Sequence, residues 1–464
     1  MEGVGCSNIN ALIRFSIKRN MATHQLSKQI GLFTGIAFVV GGVIGMGAFV
    51  LIPLICAKAY GAAWLSITIA VVINLLSVFP LIQLSAAYPV AGGGYEYGKL
   101  FFGRTTGIVF SAWALMGGAA SVALVAYGLV ESFQTVMHIP LSNHLLSILL
   151  ILLFWGVFLT GVKTLAALQI AMVVQMLLAI LLYTLPTLLE HYNQVQFSLP
   201  TEGGSFFMAI VFSFNICLGF QIIMELGEEM EDPKRNIPLS LLIGGGIVWL
   251  VYILITAAYI GAVGVENLSL KPEMVSTADA ILPAWAIYFV RLGIISAGVT
   301  CFVGAGLAIP REVFVLSRDK VLPSKFSEVS KNGTPKHAVN FFFSLVCVLL
   351  LVGEVFEQTG ILVYFFGKDT IEFYGFLTII GIMALGGGVS LVALRLQTKM
   401  PDALEKAYIK FHPLLLKFLV AISILASLFL IALVSTKWLV PACFAGVTIL
   451  AMIMAKVLEK DPNL

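Results

Sequence analysis

The stretch Gly31-Leu-Phe-Thr-Gly-Ile-Ala-Phe-Val-Val-Gly41-Gly42-Val-Ile-Gly45-Met-Gly47-Ala-Phe49 decides the reading of this chain. With its continuation to residue 55 it is apolar and long enough to cross a bilayer, which takes roughly 20 helical residues. Yet glycine fills three of the five positions from Gly41 to Gly45, and Gly47 follows. Glycine weakens a helix by about 1 kcal/mol relative to alanine, and it lets a ligand approach the backbone. Two readings stand side by side. Gly41-xxx-Gly45 is a pattern that packs membrane helices together, or the helix breaks at membrane depth. A second apolar run has a similar character: Phe212-Ser-Phe-Asn215-Ile-Cys217-Leu-Gly219-Phe220-Gln221, followed by Glu225, Glu228 and Glu229. It mixes small and polar residues where a plain span would be apolar.

The rest of the chain supplies the frame. The 464 residues are 59% hydrophobic and only 11% charged, with mean hydropathy +1.01. Soluble proteins carry about a quarter charged residues, so most of this surface must face lipid. The pattern predicts an all-α membrane protein of twelve transmembrane helices: 30–55, 61–88, 105–136, 144–161, 165–189, 205–227, 237–264, 283–317, 337–354, 370–396, 412–434 and 437–457. Each is helical because backbone groups in lipid need partners within the segment. Of the 27 Lys and Arg, only Lys58, Lys271, Lys368 and Lys437 fall opposite the N-terminus, and Arg291 lies inside a span. This bias predicts a multi-pass protein of the cytoplasmic membrane with both termini cytoplasmic. The net charge of +3 reflects that topology and gives no reason to expect nucleic acid. The six cysteines show no metal-ligand or disulfide spacing, and no metal or cofactor is expected. Residues 1–20 lack the apolar core of a cleavable signal. No catalytic motif is present, so an enzyme is not expected.

The two irregular spans are the first and the sixth. That spacing suits a five-plus-five inverted repeat in which each half opens with a discontinuous helix. The domain reading is a tail over 1–29, a transport core over 30–396 with repeats 30–189 and 205–396, and two additional helices with the C-terminus over 397–464. A helix broken at depth exposes N–H groups at one new end and C=O groups at the other. The N–H end suits a carboxylate and the C=O end an ammonium, so two facing breaks can hold an amino acid without charged side chains. The carboxylate is assigned to N–H groups at Gly45, Met46 and Gly47. The ammonium is assigned to carbonyls near Ile44 and over Phe214, Asn215 and Cys217, beside Gly219.

At these residues the chain resembles the amino acid–polyamine–organocation (APC) transporter superfamily. Gly41 to Phe49 is similar to its first-span pattern, and Pro89-Val-Ala-Gly-Gly93-Gly-Tyr95-Glu-Tyr97 to its loop after span two. Gly219-Phe220 through Glu228-Glu229 to Asp232-Pro233-Lys234-Arg235-Asn236-Ile237-Pro238 resembles its sixth-span signature. Arg311 with Arg318-Asp319 and Leu322-Pro323 resembles its segment after span eight. The resemblance implies a leucine-transporter-type fold, alternating access, and an amino acid or amine taken up with protons or exchanged. Three positions depart from the family. Asn215 stands where many members hold an aromatic gate, Gln221 where an acidic residue often follows, and Met176, after Gln175, where proton-coupled members hold a lysine. These departures leave exchange, sodium coupling, or another proton path.

Ser296 and Thr300 share a helical face and could complete a sodium site with carbonyls near Gly42; hydroxyls bonded to their own helix are the other reading. Glu225 is an ionisable group within a span, a functional candidate by default, or else it reaches the interface. Glu228, Glu229, Lys234 and Arg235 suggest an ion-pair latch. The histidines, His144 among them, fall at span ends or in loops, and Phe341-Phe-Phe343 reads as lipid-facing bulk. The expected function is secondary transport of an amino acid, by uptake or exchange, in the lipid bilayer, with H+ or Na+ as the candidate coupling ions. A polyamine carrier and a non-transporting amino acid sensor are the alternatives. The oligomeric state is left open.

Overall fold

The computed structural model describes residue 26 and residues 28–137, 139–200, 203–270, 272, 274–279, 281–330, 332–366 and 370–460. The tail before residue 26, Lys271, Lys368 and the side chain of Gln221 lie outside the described residues. The described chain is helical, with two isolated β-bridges, Ile30 to Met230 and Ala91 to Leu226.

In chain order the helices are α1 (Leu32–Val43), α2 (Met46–Ala59), α3 (Ala63–Ala87), α4 (Gly93–Phe102), α5 (Arg104–Met137) and α6 (Asn143–Phe158). They continue as α7 (Val162–His191), α8 (Gly203–Ile216), α9 (Pro233–Val263), α10 (Met274–Asp279), α11 (Ala284–Ala308) and α12 (Pro310–Arg318). The last six are α13 (Lys336–Gln358), α14 (Ile361–Phe366), α15 (Thr370–Lys399), α16 (Pro401–Glu405), α17 (Pro413–Val434) and α18 (Leu439–Lys460). Among the described residues, nine helical stretches are long and apolar enough to cross a membrane. The α1, α6 and α8 helices are shorter and apolar.

Burial separates the inner helices from the outer ones. In an apolar 18-residue window of Ala284–Arg318, 72% is buried, against 17% in the corresponding window of Leu439–Glu459, so this part of the bundle sits centrally and α18 at the rim. Outer helices present Leu149, Leu153, Leu425, Leu428 and Leu450, all exposed. Apolar side chains in such density suit lipid. The aromatic run on α13 divides: Phe341 is exposed, but Phe342 and Phe343 are fully buried. Phe343 packs against Phe158, Phe302 and Trp155. Lipid-facing bulk does not hold for Phe342 and Phe343, because α13 turns these rings inward, Phe343 onto α6 and α11.

The span expected over 30–55 is interrupted. The α1 helix stops because Ile44 leaves helical geometry, at φ −78° and ψ 85°. The Gly45 N–H then turns back onto Val43 O at 2.9 Å, an inverse γ-turn. Gly45 is extended, and α2 starts at Met46. The span expected over 205–227 is interrupted too. The last turn of α8 tightens, with Cys217 N–H on Phe214 O at 3.1 Å and Leu218 N–H on Asn215 O at 3.3 Å. Gly219 follows at φ +124°, and a short 3-10 segment runs over Phe220–Glu225. The α2 helix packs on α8, and α1 packs on α9, α11 and α7.

The two interruptions touch through glycine. A Cβ on Gly219 would strike the carbonyl of Gly42, and φ +124° is a conformation that L side chains rarely adopt. Strained backbone of this kind costs about 1–3 kcal/mol. Gly219→Ala is therefore expected to lower the thermal midpoint of the purified protein, while Gly446→Ala, whose Cβ meets nothing within 4 Å, leaves it unchanged. Equal midpoints for the two variants would show that the contact between the breaks does not matter to the fold.

Candidate functional site

The break in α1–α2 and the break after α8 share one side chain from α9. The fully buried Tyr252 hydroxyl lies 3.0 Å from Val43 O and 2.7 Å from Ile216 O. A second side chain works on the same segment from α11: the Cys301 thiol donates to Gly41 O at 3.3 Å and Gly42 O at 3.5 Å. Its sulfur would lie 2.9 Å from a Cβ on Gly45, so only glycine leaves it room. The carbonyls that a broken helix frees are thus partly occupied by the protein itself.

The N–H groups at the start of α2 differ. Gly45 N–H is spent in the γ-turn and Ala48 N–H returns to Gly45 O at 3.1 Å. Gly45 as N-cap offers no side-chain acceptor. Among the described residues, no acceptor is found for the Met46 and Gly47 N–H groups. Gly47 is exposed, with nothing within 4 Å of the place a Cβ would take. Two donors at the positive end of a 14-residue helix thus lack a protein acceptor among the described residues, an arrangement suited to an anion.

The other expected residues fall as follows. Ile44, Phe214 and Cys217 are buried, and Asn215 is exposed. Phe214 lines a narrow crevice with Asn74, Ser77, Met383, Ser423 and Ser427. Thr300 is buried and comes against Gly41, but its hydroxyl donates to Ala297 O in its own helix at 3.0 Å. Ser296 contacts the Met172 sulfur at 3.5 Å. Gly42 O, the third member of that set, receives the Cys301 thiol.

One end of the bundle carries the basic residues. There Glu229 and Arg311 form a fully buried pair, at 2.6 Å and 3.2 Å, and Arg311 also donates to Leu307 O. Glu228 pairs with Arg318 at 2.9 Å and 3.0 Å, and Arg318 reaches Glu96 at 3.3 Å. The latch acids thus pair with Arg311 and Arg318; Arg235 is exposed at the start of α9 and joins no ion pair among the described residues. Backbone closes the same end: Gln29 and Ile30 N–H both donate to Glu229 O, and Glu231 N–H donates to Ile30 O. Lys99, Arg104 and Tyr95 surround Asp319. Burial alone would raise that carboxyl, but the hydrogen bonds from Lys99 and Tyr95, with the Lys99 and Arg104 charges, hold it below the usual carboxylate range.

Glu225 points into the protein. It is buried, and its Oε2 accepts the Gly93 N–H at 2.7 Å. Glu312, fully buried on α12, accepts from Gly94 N–H at 2.9 Å and Tyr95 N–H at 3.2 Å. The N-terminus of α4 is thereby capped by two carboxyl groups from distant parts of the chain, set on adjacent residues. The sequence did not single out Tyr252, Cys301 or Glu312, and it counted Arg311 among the charges on the N-terminal side of the membrane. His144 is fully buried at the other end, wedged against Tyr127 and Tyr374 within 3.3 Å of Glu354 and 3.1 Å of Glu357. Its place at a span end hid that burial.

Comparison with known proteins gives this geometry its context. An uncharacterized transporter of Mycobacterium tuberculosis is 24% identical over 351 residues, 74% of this chain and 79% of the relative. The b(0,+)-type amino acid transporter 1 of Oryctolagus cuniculus is 26% identical over 386 residues, 78% of this chain and 77% of the relative. A vacuolar cationic amino acid transporter 4 of Arabidopsis thaliana is 27% identical over 341 residues, 67% of this chain and 56% of the relative. A family model described as amino acid permease matches residues 30–455, and with nearly the whole described chain inside that match, the protein belongs to the amino acid permease family.

Proposed function

We propose that this permease carries an amino acid across the cytoplasmic membrane by alternating access, binding the substrate backbone at the facing breaks. The substrate carboxylate meets the Met46 and Gly47 N–H groups, and its ammonium meets carbonyls of the α8 terminus. In this reading α1 with α2 makes the first crossing and α8 with its 3-10 segment the sixth. With α3, α5, α6, α7, α9, α11, α13, α15, α17 and α18 there are twelve crossings, and both termini are cytoplasmic. The first ten form two inverted repeats of five. Support comes from the placement of the breaks five crossings apart and from the family membership. The observation that carries the substrate site is the pair of N–H groups at the start of α2 that have no acceptor among the described residues, at the exposed Gly47 and its neighbour Met46.

The basic end is closed by the Glu229–Arg311 pair and the backbone bonds of Gln29 and Ile30. The accessible donors of α2 then belong to a state open toward the opposite side. A neutral amino acid fits best, since no charged side chain stands at the breaks.

The test is uptake of labelled amino acids into liposomes holding the purified protein, with a proton gradient, a sodium gradient, or unlabelled amino acid trapped inside. Uptake under any of these supports the reading; binding without transport would leave a sensor, and neither binding nor transport by folded protein would refute it. Gly47→Leu separates fold from function. Nothing lies within 4 Å of the Gly47 Cβ position, so the variant is expected to keep its thermal midpoint while losing substrate binding by at least about tenfold, or 1.4 kcal/mol. Normal binding by this variant would move the carboxylate site away from α2. Tyr252→Phe removes the hydroxyl shared by Val43 O and Ile216 O. A buried carbonyl without its donor costs about 1–3 kcal/mol, and uptake is expected to fall roughly tenfold or more with secondary structure intact by circular dichroism.

A further inference from the structure

Four buried ionisable side chains meet at the basic end, and their charges do not balance. Glu225, Glu229 and Glu312 are carboxyls, and Arg311 is the cation among them. Arg311 is committed to Glu229 at 2.6 Å. Glu225 and Glu312 are left side by side, accepting from the N–H groups of the adjacent residues Gly93 and Gly94 at 2.7 Å and 2.9 Å. Two buried carboxyls set on neighbouring backbone donors disfavour double ionisation, and one proton held between them relieves the repulsion. Three backbone donors, from Gly93, Gly94 and Tyr95, already point at their oxygens. Those donors, at the positive end of the ten-residue α4, repel a metal cation. A proton needs no such coordination shell.

Among the described residues, the surroundings supply no other counter-charge. Arg318 is held by Glu228 and Glu96, and Asp319 holds Lys99 with Arg104 nearby. The Tyr97 ring packs on Gly93, and its hydroxyl donates to Tyr88 O at 2.9 Å. An independent observation comes from α5. The Ser111 hydroxyl is fully buried, faces Glu312, and has no partner at bonding distance. A buried hydroxyl without a partner is costly, and this one is a donor waiting for an ionised carboxylate.

We infer that Glu225 and Glu312 form a proton-binding site whose proton is released to the cytoplasm when the basic end opens. The inference rests on the transport reading above for its coupling role, and on geometry alone for the site. Glu225 ends the 3-10 segment that begins at Gly219, so it is joined directly to the substrate break. Glu312 stands on α12, and α4 bridges the two. Opening the basic end separates the three elements. The O–H bond shared by the pair then breaks, the proton passes to cytoplasmic water, and two carboxylates remain, with Ser111 placed to donate to Glu312. Because the closed state binds the proton more tightly than the open one, proton and substrate movement are linked. The lysine position held by Met176 is not needed.

The test has two readouts. Infrared spectroscopy of the purified protein at neutral pH is expected to show a protonated carboxyl that disappears in Glu225→Gln and in Glu312→Gln. Glutamine is the neutral isostere and preserves the carbonyl acceptor. Ser111→Ala should raise the pH at which the signal is lost, since it removes a donor to the ionised form. In liposomes, an inward proton gradient is expected to stimulate uptake. The ratio of that stimulation to counterflow in the same variant should fall about tenfold or more for each Gln substitution. No protonated carboxyl in the parent protein, or one that survives both substitutions, overturns the site. Transport that ignores the proton gradient, or sodium stimulation lost in the same variants, overturns the coupling. Absence of all transport alongside an intact infrared signal would refute the transport reading and the coupling while leaving the proton site standing.

Discussion

Backbone polar groups at membrane depth must find partners inside the protein. The structure depends on how that requirement is met at the two places where helices stop early. At Ile44 and at Cys217 the helical ladder ends within apolar surroundings, and unbonded groups there would cost several kcal/mol each. Local turns take some of them. Two side chains from elsewhere, Tyr252 and Cys301, take others. Only after those are assigned do the Met46 and Gly47 N–H groups stand out as open. The burial of α9 and α11 follows from the same requirement, because each must bring one polar atom to a break while burying the rest of its surface.

Much of this was legible in the sequence. Glycine density at Gly41–Gly47 marks a weak point in a helix whatever the tertiary context, and the break lies at Ile44–Gly45. Long apolar runs located helices such as α5, α7 and α15 to within a few residues, because apolar length is itself the signal. The partners of the breaks were not legible. A single tyrosine or cysteine in an apolar run looks the same whether it fills space or caps a carbonyl, and Tyr252 lies 209 residues from Val43. Arg311 looked like one more charge on the basic side. Its burial is set by Glu229, 82 residues earlier, which no local pattern reveals. Glu312 was hidden in the same way, since its contacts are to the backbone of Gly94 and Tyr95, 218 and 217 residues away. Phe342 and Phe343 were misread because the facing direction of a helix depends on its neighbours.

The ion pairs at the basic end differ in kind. The Arg318 pairs are partly exposed, and such pairs contribute about 0–1 kcal/mol. The Glu229–Arg311 pair is fully buried, and desolvation offsets much of its attraction. Its value lies in what separation would cost. Removing one partner of such a pair strands a charge, at about 3–5 kcal/mol. In the proposed transport cycle, closure at this end would be held by a geometric requirement more than by net attraction, and opening would require water to enter as the pair parts.

Tyr252 carries a further consequence. A phenol has one proton to donate, yet two carbonyls, Val43 O and Ile216 O, compete for it. One of them holds the bond and the other waits. If either segment withdraws, the proton turns toward the one that stays, and the number of bonds made is unchanged. The hydroxyl therefore acts as a pivot shared by two levers: each broken helix can swing in turn at little enthalpic penalty, and only their simultaneous departure leaves the phenol empty.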